Sequence, residues 1–161
     1  MPHWASRFGI SRAVVINSVR AAVATIASML LSQSLKLPEF YWAPISTIVV
    51  LLSTVNPRTV AWQRFVGTAL GAVLGALIAT FFRTSWIVYG AGIFLCGIFS
   101  ALLRIGSAYR FAAITLSIVL LFAHTRPPWV VAVNRFLEVS LGIGVALVVA
   151  VAWPVPYPAG Q

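Results

Sequence analysis

Tyr41-Trp42-Ala43-Pro44, an apolar run to Val55, a turn at Asn56-Pro57-Arg58, and then Arg64-Phe65-Val66-Gly67-Thr68-Ala69-Leu70-Gly71-Ala72-Val73-Leu74-Gly75 form the stretch that decides how this chain folds. Gly67, Gly71 and Gly75 recur every fourth residue, and Thr68, Ala72, Ala76 and Thr80 make a second lane of small residues beside them. On an α-helix this spacing reduces one face almost to bare backbone. In lipid, apolar side chains gain nothing by leaving the solvent. Helices there associate through close backbone approach, so this face is expected to meet another helix. Arg64 stands at the head of that helix.

Composition fixes the solvent. Hydrophobic residues make up 61% of the 161 residues and charged ones 8%, where a soluble domain carries about a quarter charged. The chain therefore reads as an all-α integral membrane protein whose main partner is the lipid bilayer. A crossing needs about 20 helical residues, and six apolar segments fit, at residues 13–35, 41–55, 64–82, 86–103, 111–124 and 131–153. The net charge is +9, but the eleven basic residues are scattered singly, mostly at segment ends. That is topology charge rather than a phosphate-binding patch, so no nucleic acid is expected as partner. Glu39 and Glu138 are the only acidic residues, which makes anions the natural ligands. The lone Cys96 allows no intrachain disulfide and reads as a packing residue. With no Ser-His-Asp, metal-ligand or phosphate-loop constellation, neither enzyme chemistry nor a metal or cofactor is expected.

Along the chain, residues 1–12 read as a cytoplasmic interfacial arm carrying Trp4, Arg7, Phe8 and Arg12. Residues 1–34 have the outline of a signal peptide. Their long apolar run carries Asn17 and Arg20 and lacks a small-x-small cleavage site, so they read as a retained first helix. In that helix Asn17, Arg20, Ala24, Ser28 and Ser32 line one face, which must look at protein or water. Lys36 to Glu39 is a turn. The second segment is short and opens with Pro44 in its first turn, and Ser46, Ser53 and Thr54 mark its inward face. Residues 59–63 are expected along the interface before the third helix. Gly90, Gly97 and Ser100 mark a packing face on the fourth segment, Thr115 and Ser117 lie inside the short fifth, and His124, Arg126 and Trp129 have interfacial character. Residues 154–161 read as a flexible tail.

The chain repeats itself. Arg135-Phe136 with Leu141-Gly142 copies Arg64-Phe65 with Leu70-Gly71 at an offset of 71 residues, so that Gly67, Gly71, Gly75 and Ala79 map onto Glu138, Gly142, Ala146 and Ala150. Ile45-Ser46-Thr47 and Val50-Leu51-Leu52 correspond to Ile114-Thr115-Leu116 and Val119-Leu120-Leu121 at 69. The first and fourth segments show no match. Two halves of three crossings each, about residues 13–82 and 86–153, must run in opposite senses. Such inverted repeats are common in transporters, and short or Pro-interrupted segments at matching positions point to the site. With the N-terminus inside, Arg7, Arg12, Arg58, Arg64, Arg104 and Arg110 are cytoplasmic against Lys36, Arg83, Arg126 and Arg135 outside, so both termini are expected in the cytoplasm.

Arg64 and Arg135 head helices whose N–H groups favour negative charge, and the inverted arrangement is expected to put one near each membrane face. Arg20 lies deeper within the first helix. A charged side chain inside a membrane segment is a functional candidate unless it only snorkels to the interface. The candidate substrate-binding residues are therefore Arg20, Arg64 and Arg135, with Trp42, Ser46 and Thr115 from the two short segments. Glu138, one turn from Arg135, reads either as its ion-pair partner or as a proton-coupling carboxylate. Gly67, Gly71, Gly75 and Gly142 are the candidate helix-packing residues.

Tyr41-Trp42-Ala43 followed by Arg64-x-x-Gly67-Thr68-x-x-Gly71, together with Arg135-Phe136-Leu137-Glu138 and Leu141-Gly142, resembles the signature of the FUSC family of fusaric acid resistance-like membrane proteins. The resemblance covers most of residues 13–154. That family includes aromatic acid exporters and, more distantly, aluminium-activated malate transporters. The resemblance thus implies movement of organic anions, aromatic ones among them, across a bacterial inner membrane, with efflux as the direction. Passive anion conduction and a non-transporting scaffold or subunit are the alternatives. The sequence departs from longer members at Pro44, where an aliphatic residue is expected, and in carrying no cytosolic domain before Gln161. A six-helix module is therefore expected to work as a homodimer or with a partner membrane subunit.

Overall fold

The computed structural model describes residues 12–154 except Thr54 and His124, with Ala13 described in its backbone only. Most of the interfacial arm, residues 155–161 of the tail, and the places of Thr54 and His124 lie outside the described residues. Among the described residues all regular structure is helical. The elements are α1 (Arg12–Ser34), α2 (Trp42–Leu51), α3 (Pro57–Phe81), α4 (Trp86–Leu102), a 3-10 turn (Gly106–Ala108), α5 (Tyr109–Phe122) and α6 (Pro128–Ala152). Three helices are long and apolar enough to cross a membrane, over Val14–Ser34, Pro57–Phe81 and Pro128–Ala152, and the others are shorter apolar helices. Phe81, Trp86, Phe94, Leu102 and Val148 point outward and are strongly exposed. A surface of this kind suits lipid rather than water.

Prolines set the helix starts. α3 begins at Pro57 rather than at residue 64, because a proline in the first helical position gives up an N–H that would have no partner there. Asn56 caps it, its Oδ1 accepting from the Arg58 N–H at 3.0 Å. Residues 59–63, expected along the interface, are instead its first turns. α6 starts the same way at Pro128, so both long helices have 25 residues, about 37 Å, and both their ends are offset by 71. α2 stops at Leu51, short of the expected residue 55, and the Ser53 hydroxyl donates to the Val50 carbonyl beyond its end. Pro44 is the third residue of α2 and falls in the turn whose N–H groups lack helical acceptors, so it does not interrupt the helix.

The most extensive packing is of α3 on α5, followed by α2 on α6 and α3 on α6. A Cβ on Gly71 would run into the Ala112 carbonyl and the Thr115 Cβ, and a Cβ on Gly142 into the Ala43 carbonyl and the Ser46 Cβ. Gly142 is the counterpart of Gly71 at 71 residues, while Ala43 and Ser46 are the counterparts of Ala112 and Thr115 at 69. One contact therefore occurs twice with its partners exchanged. Phe65 and Phe136, also 71 apart, touch each other with ring centroids 5.1 Å apart. Gly67 lies against Ala108 and Phe111, and Gly75 against Leu116 and Val119.

The correspondence extends to α1 and α4, which the sequence leaves unmatched. Ala24, Ser28 and Ser32 are buried on α1, and Gly92, Cys96 and Ser100 on α4, at an offset of 68. Of the expected α4 face, Ser100 is buried and Gly97 meets the Tyr109 ring, while Gly90 has no neighbour within 4 Å. Both helices end alike. Lys36 (φ 52) and Arg104 (φ 57), again 68 apart, are the non-glycine residues with left-handed backbone among those described. Lys36 and Leu37 donate their N–H groups to Gln33 and Ser32, as Arg104 and Ile105 do to Ala101 and Ser100. This closure normally takes glycine. A basic residue tolerates it here while complementing the negative end of the helix dipole.

The glycine contacts make a contrast that can be measured. Gly71→Leu and Gly142→Leu should each lower the melting temperature of purified protein in detergent, by an amount equivalent to roughly 1–3 kcal/mol or more of overpacking. Gly90→Leu and Gly144→Leu, where an added Cβ meets nothing within 4 Å, should leave it unchanged. Equal behaviour of the two sets would separate stability from these close approaches.

Candidate functional site

Seven residues separate Arg64 from Pro57 and Arg135 from Pro128, so each arginine lies two turns inside its helix, on the face that carries Gly71 or Gly142. That face is held against a neighbour, and the guanidinium goes with it: Arg64 is 8% exposed and Arg135 3%. The two were expected near opposite faces of the membrane. Because α3 and α6 cross where Phe65 meets Phe136, the arginines preceding those rings belong to one level of the bundle.

Each guanidinium lies over an aromatic ring from a short helix. The Arg64 Cζ is 5.1 Å from the Phe111 centroid, and the Arg135 Cζ is 3.2 Å from the Trp42 ring. Trp42 and Phe111 are counterparts at 69, so this contact too is exchanged between the halves. Arg64 Nη2 donates to Ser46 Oγ at 3.1 Å, and Ser46 donates to the Trp42 carbonyl at 2.9 Å. Arg64 Nε and Arg135 Nε and Nη1 are buried without a hydrogen-bond acceptor among the described residues. Cation–π contact stabilises a desolvated guanidinium by about 2 kcal/mol, yet it leaves the in-plane N–H donors unpaired. Such donors suit a carboxylate, whose two oxygens match the guanidinium fork.

Beside Arg135 a chain of polar contacts crosses from α2 to α6. Trp42 Nε1 donates to Glu39 Oε2 at 3.0 Å, and the Glu39 N–H donates to Glu138 Oε1 at 2.9 Å. Glu138 is fully buried, and its Oε2 has no hydrogen-bond partner among the described residues. Phe111 did not stand out in the sequence, though it could have been found as the counterpart of Trp42; Glu39 stood out as one of two acidic residues, but its turn position gave no sign that it would meet Trp42 and Glu138.

Arg20 is elsewhere. Its Nη1 donates to the Trp153 carbonyl at 3.0 Å and its Nη2 to the Leu51 carbonyl at 3.4 Å, so it closes the C-terminal ends of α6 and α2. Beside it a cavity of about 360 Å³ is lined by Arg20, Asn56, Pro57, Arg58 and residues of the last turns of α6. Thr115 is placed at the α3–α5 contact against Gly71. Among the described residues no cluster of three or more His, Cys, Asp or Glu side chains is suited to a metal ion.

No curated protein and no solved structure matches the chain. Residues 25–149 match the model of the fusaric acid resistance protein-like family, a span that takes in α2 to α5 entire, most of α6, the C-terminal part of α1, Arg64 and Arg135, and all four packing glycines. This membrane chain therefore belongs to the fusaric acid resistance protein-like family.

Proposed function

We propose that the chain moves organic anions, aromatic acids among them, across a bacterial inner membrane, with Arg64 and Arg135 holding the substrate carboxylate and no covalent chemistry. The observation that carries this reading is that Arg64 and Arg135 are buried, each over an aromatic ring, with guanidinium donors that find no acceptor among the described residues. An anion leaving water loses hydration that only fixed positive charge and oriented donors replace. Ser46 and Trp42 position the arginines, and Thr115 lies on the matching turn of α5. Arg20 and Arg58 stand at a cavity that serves as one mouth of the path, where positive charge concentrates incoming anions. Export is the direction carried over from the resemblance.

The proposal includes six crossings in two inverted three-helix repeats, with both termini in the cytoplasm. The exchanged contacts Gly71–Ala112 and Gly142–Ala43, and Phe65 touching its own counterpart, support it, since an internal twofold axis produces such pairs. A second copy or a partner membrane subunit completes the module. α2 spans only about 15 Å, and backbone beyond so short a helix needs protein around it at membrane depth.

Flux into proteoliposomes, measured with a panel of aromatic and dicarboxylic acids, tests the site. Arg64→Gln and Arg135→Gln should each lower flux at least about ten-fold at equal protein level, because a charge-assisted hydrogen bond is worth about 1.5–3 kcal/mol. Lysine should restore part of it if charge alone matters, and little if the planar fork is needed. Intact flux in the double variant would reduce both arginines to anchors. Movement along any gradient without coupling would favour a passive channel, and no flux at all a scaffold.

Topology is tested at the two matched turns. In a Cys96→Ser background, a cysteine at Lys36 should react with an impermeant maleimide from outside intact cells, and one at Arg104 only after the cells are opened. Labelling of both from the same side would remove the inverted repeat.

A further inference from the structure

The two halves differ at Glu138. Its counterpart in α3 is Gly67, which packs directly on Ala108 and Phe111. The α3–α5 contact thus closes with no side chain where α6 carries a fully buried carboxyl group. Packing of this kind does not call for a carboxylate. One of its oxygens takes the Glu39 N–H and the other has no partner among the described residues. One turn away, Arg135 is drawn over the Trp42 ring and keeps Nε and Nη1 without acceptors. The carboxyl group and the guanidinium thus lie one turn apart on α6, each with polar atoms that find no partner among the described residues.

The charges acting on Glu138 are Glu39 from the turn before α2, Arg135 on its own helix and Arg126 from the loop before α6. Arg64 of α3 and Tyr41 at the start of α2 act on Arg135. From α5, Arg110 lies against Phe111, and from α1, Arg20 lies at the far end of α6 by Trp153. A substrate carboxylate seated on Arg135 would face two carboxylates, Glu138 and Glu39, in a setting of low dielectric. Like charges there repel strongly, and adding a proton to the unpartnered Glu138 oxygen removes one of them.

Building on the anion-site reading, we propose that Glu138 binds the proton that accompanies each anion, so that anion and proton occupy the Arg135 site together and cross the membrane as an electroneutral pair. The proton joins Oε2 from the water on the side to which the site is open, and leaves to water on the other side with the anion. No other bond is made or broken. Anion affinity and proton affinity then raise each other by the same factor.

Isothermal titration of the purified full chain in lipid nanodiscs with benzenesulfonate tests this, because that anion stays ionised at every pH used and any pH dependence belongs to the protein. Between pH 8.5 and 5.5 the affinity should rise by up to about ten-fold per pH unit. Titrations in buffers of different ionisation enthalpy should give about one proton taken up per anion. Glu138→Gln should bind at pH 8.5 with the low-pH affinity and take up no proton. Flat affinity in the unaltered chain, with Arg135→Gln abolishing binding, overturns the proton site and leaves the anion site standing. PH dependence that survives Glu138→Gln and vanishes in Glu39→Gln assigns the proton to the turn carboxylate and likewise overturns it. No binding at any pH, or binding unaffected by Arg135→Gln, overturns the anion site and the proton site with it.

Discussion

Everything in this bundle depends on helices approaching backbone to backbone at Gly71 and Gly142, where an added Cβ would collide with the carbonyls of Ala112 and Ala43. Lipid supplies no hydrophobic force between helices, so this approach is what seats the short helices α2 and α5 on the long ones. It also dictates where charge goes. Arg64 is seven residues from Gly71 and Arg135 seven from Gly142, two turns along the same face. A face pressed against a neighbour cannot present an arginine to water, and the guanidiniums are buried as a result.

The same placement bears on how an arginine near a helix start is read. An arginine in the first turn can snorkel to the interface at little cost. Since α3 and α6 begin at Pro57 and Pro128, Arg64 and Arg135 are not in the first turn. Their aromatic neighbours Phe111 and Trp42 and the Ser46 hydroxyl come from the short helices, which the same glycine faces hold in place. Packing and site are thus one construction.

Much of this was legible in the sequence. The helical class, the small-residue lanes and the correspondence of α2 with α5 and α3 with α6 follow from spacing alone, since spacing survives without contacts. The apolar runs point to starts at residues 64 and 131, whereas α3 and α6 begin at the prolines before them, where a missing N–H costs nothing. The likeness of α1 to α4 was hidden, because what the helices share is three small residues at four-residue spacing, two of them of different type, and a left-handed closing residue that is not glycine. Arg20 looked like the most deeply placed candidate, but its partners are the Trp153 and Leu51 carbonyls, backbone atoms that no sequence pattern announces. The Glu39 amide that binds Glu138 was invisible for the same reason.

The two halves share a frame and differ in what they place on it. Around Arg64 the frame holds a hydroxyl, a phenyl ring and Gly67; around Arg135 it holds an indole and two carboxyl groups. Because each short helix packs on the long helix of the other half, Arg135 and Glu138 come from one half while Trp42 and Glu39 come from the other. Any movement of one half against the other therefore changes the Arg135–Trp42 stacking and the Glu39–Glu138 hydrogen bond before it disturbs either half internally. The charged groups are thus held at the seam between the halves, next to the close glycine contacts and the Phe65–Phe136 pair rather than within either half.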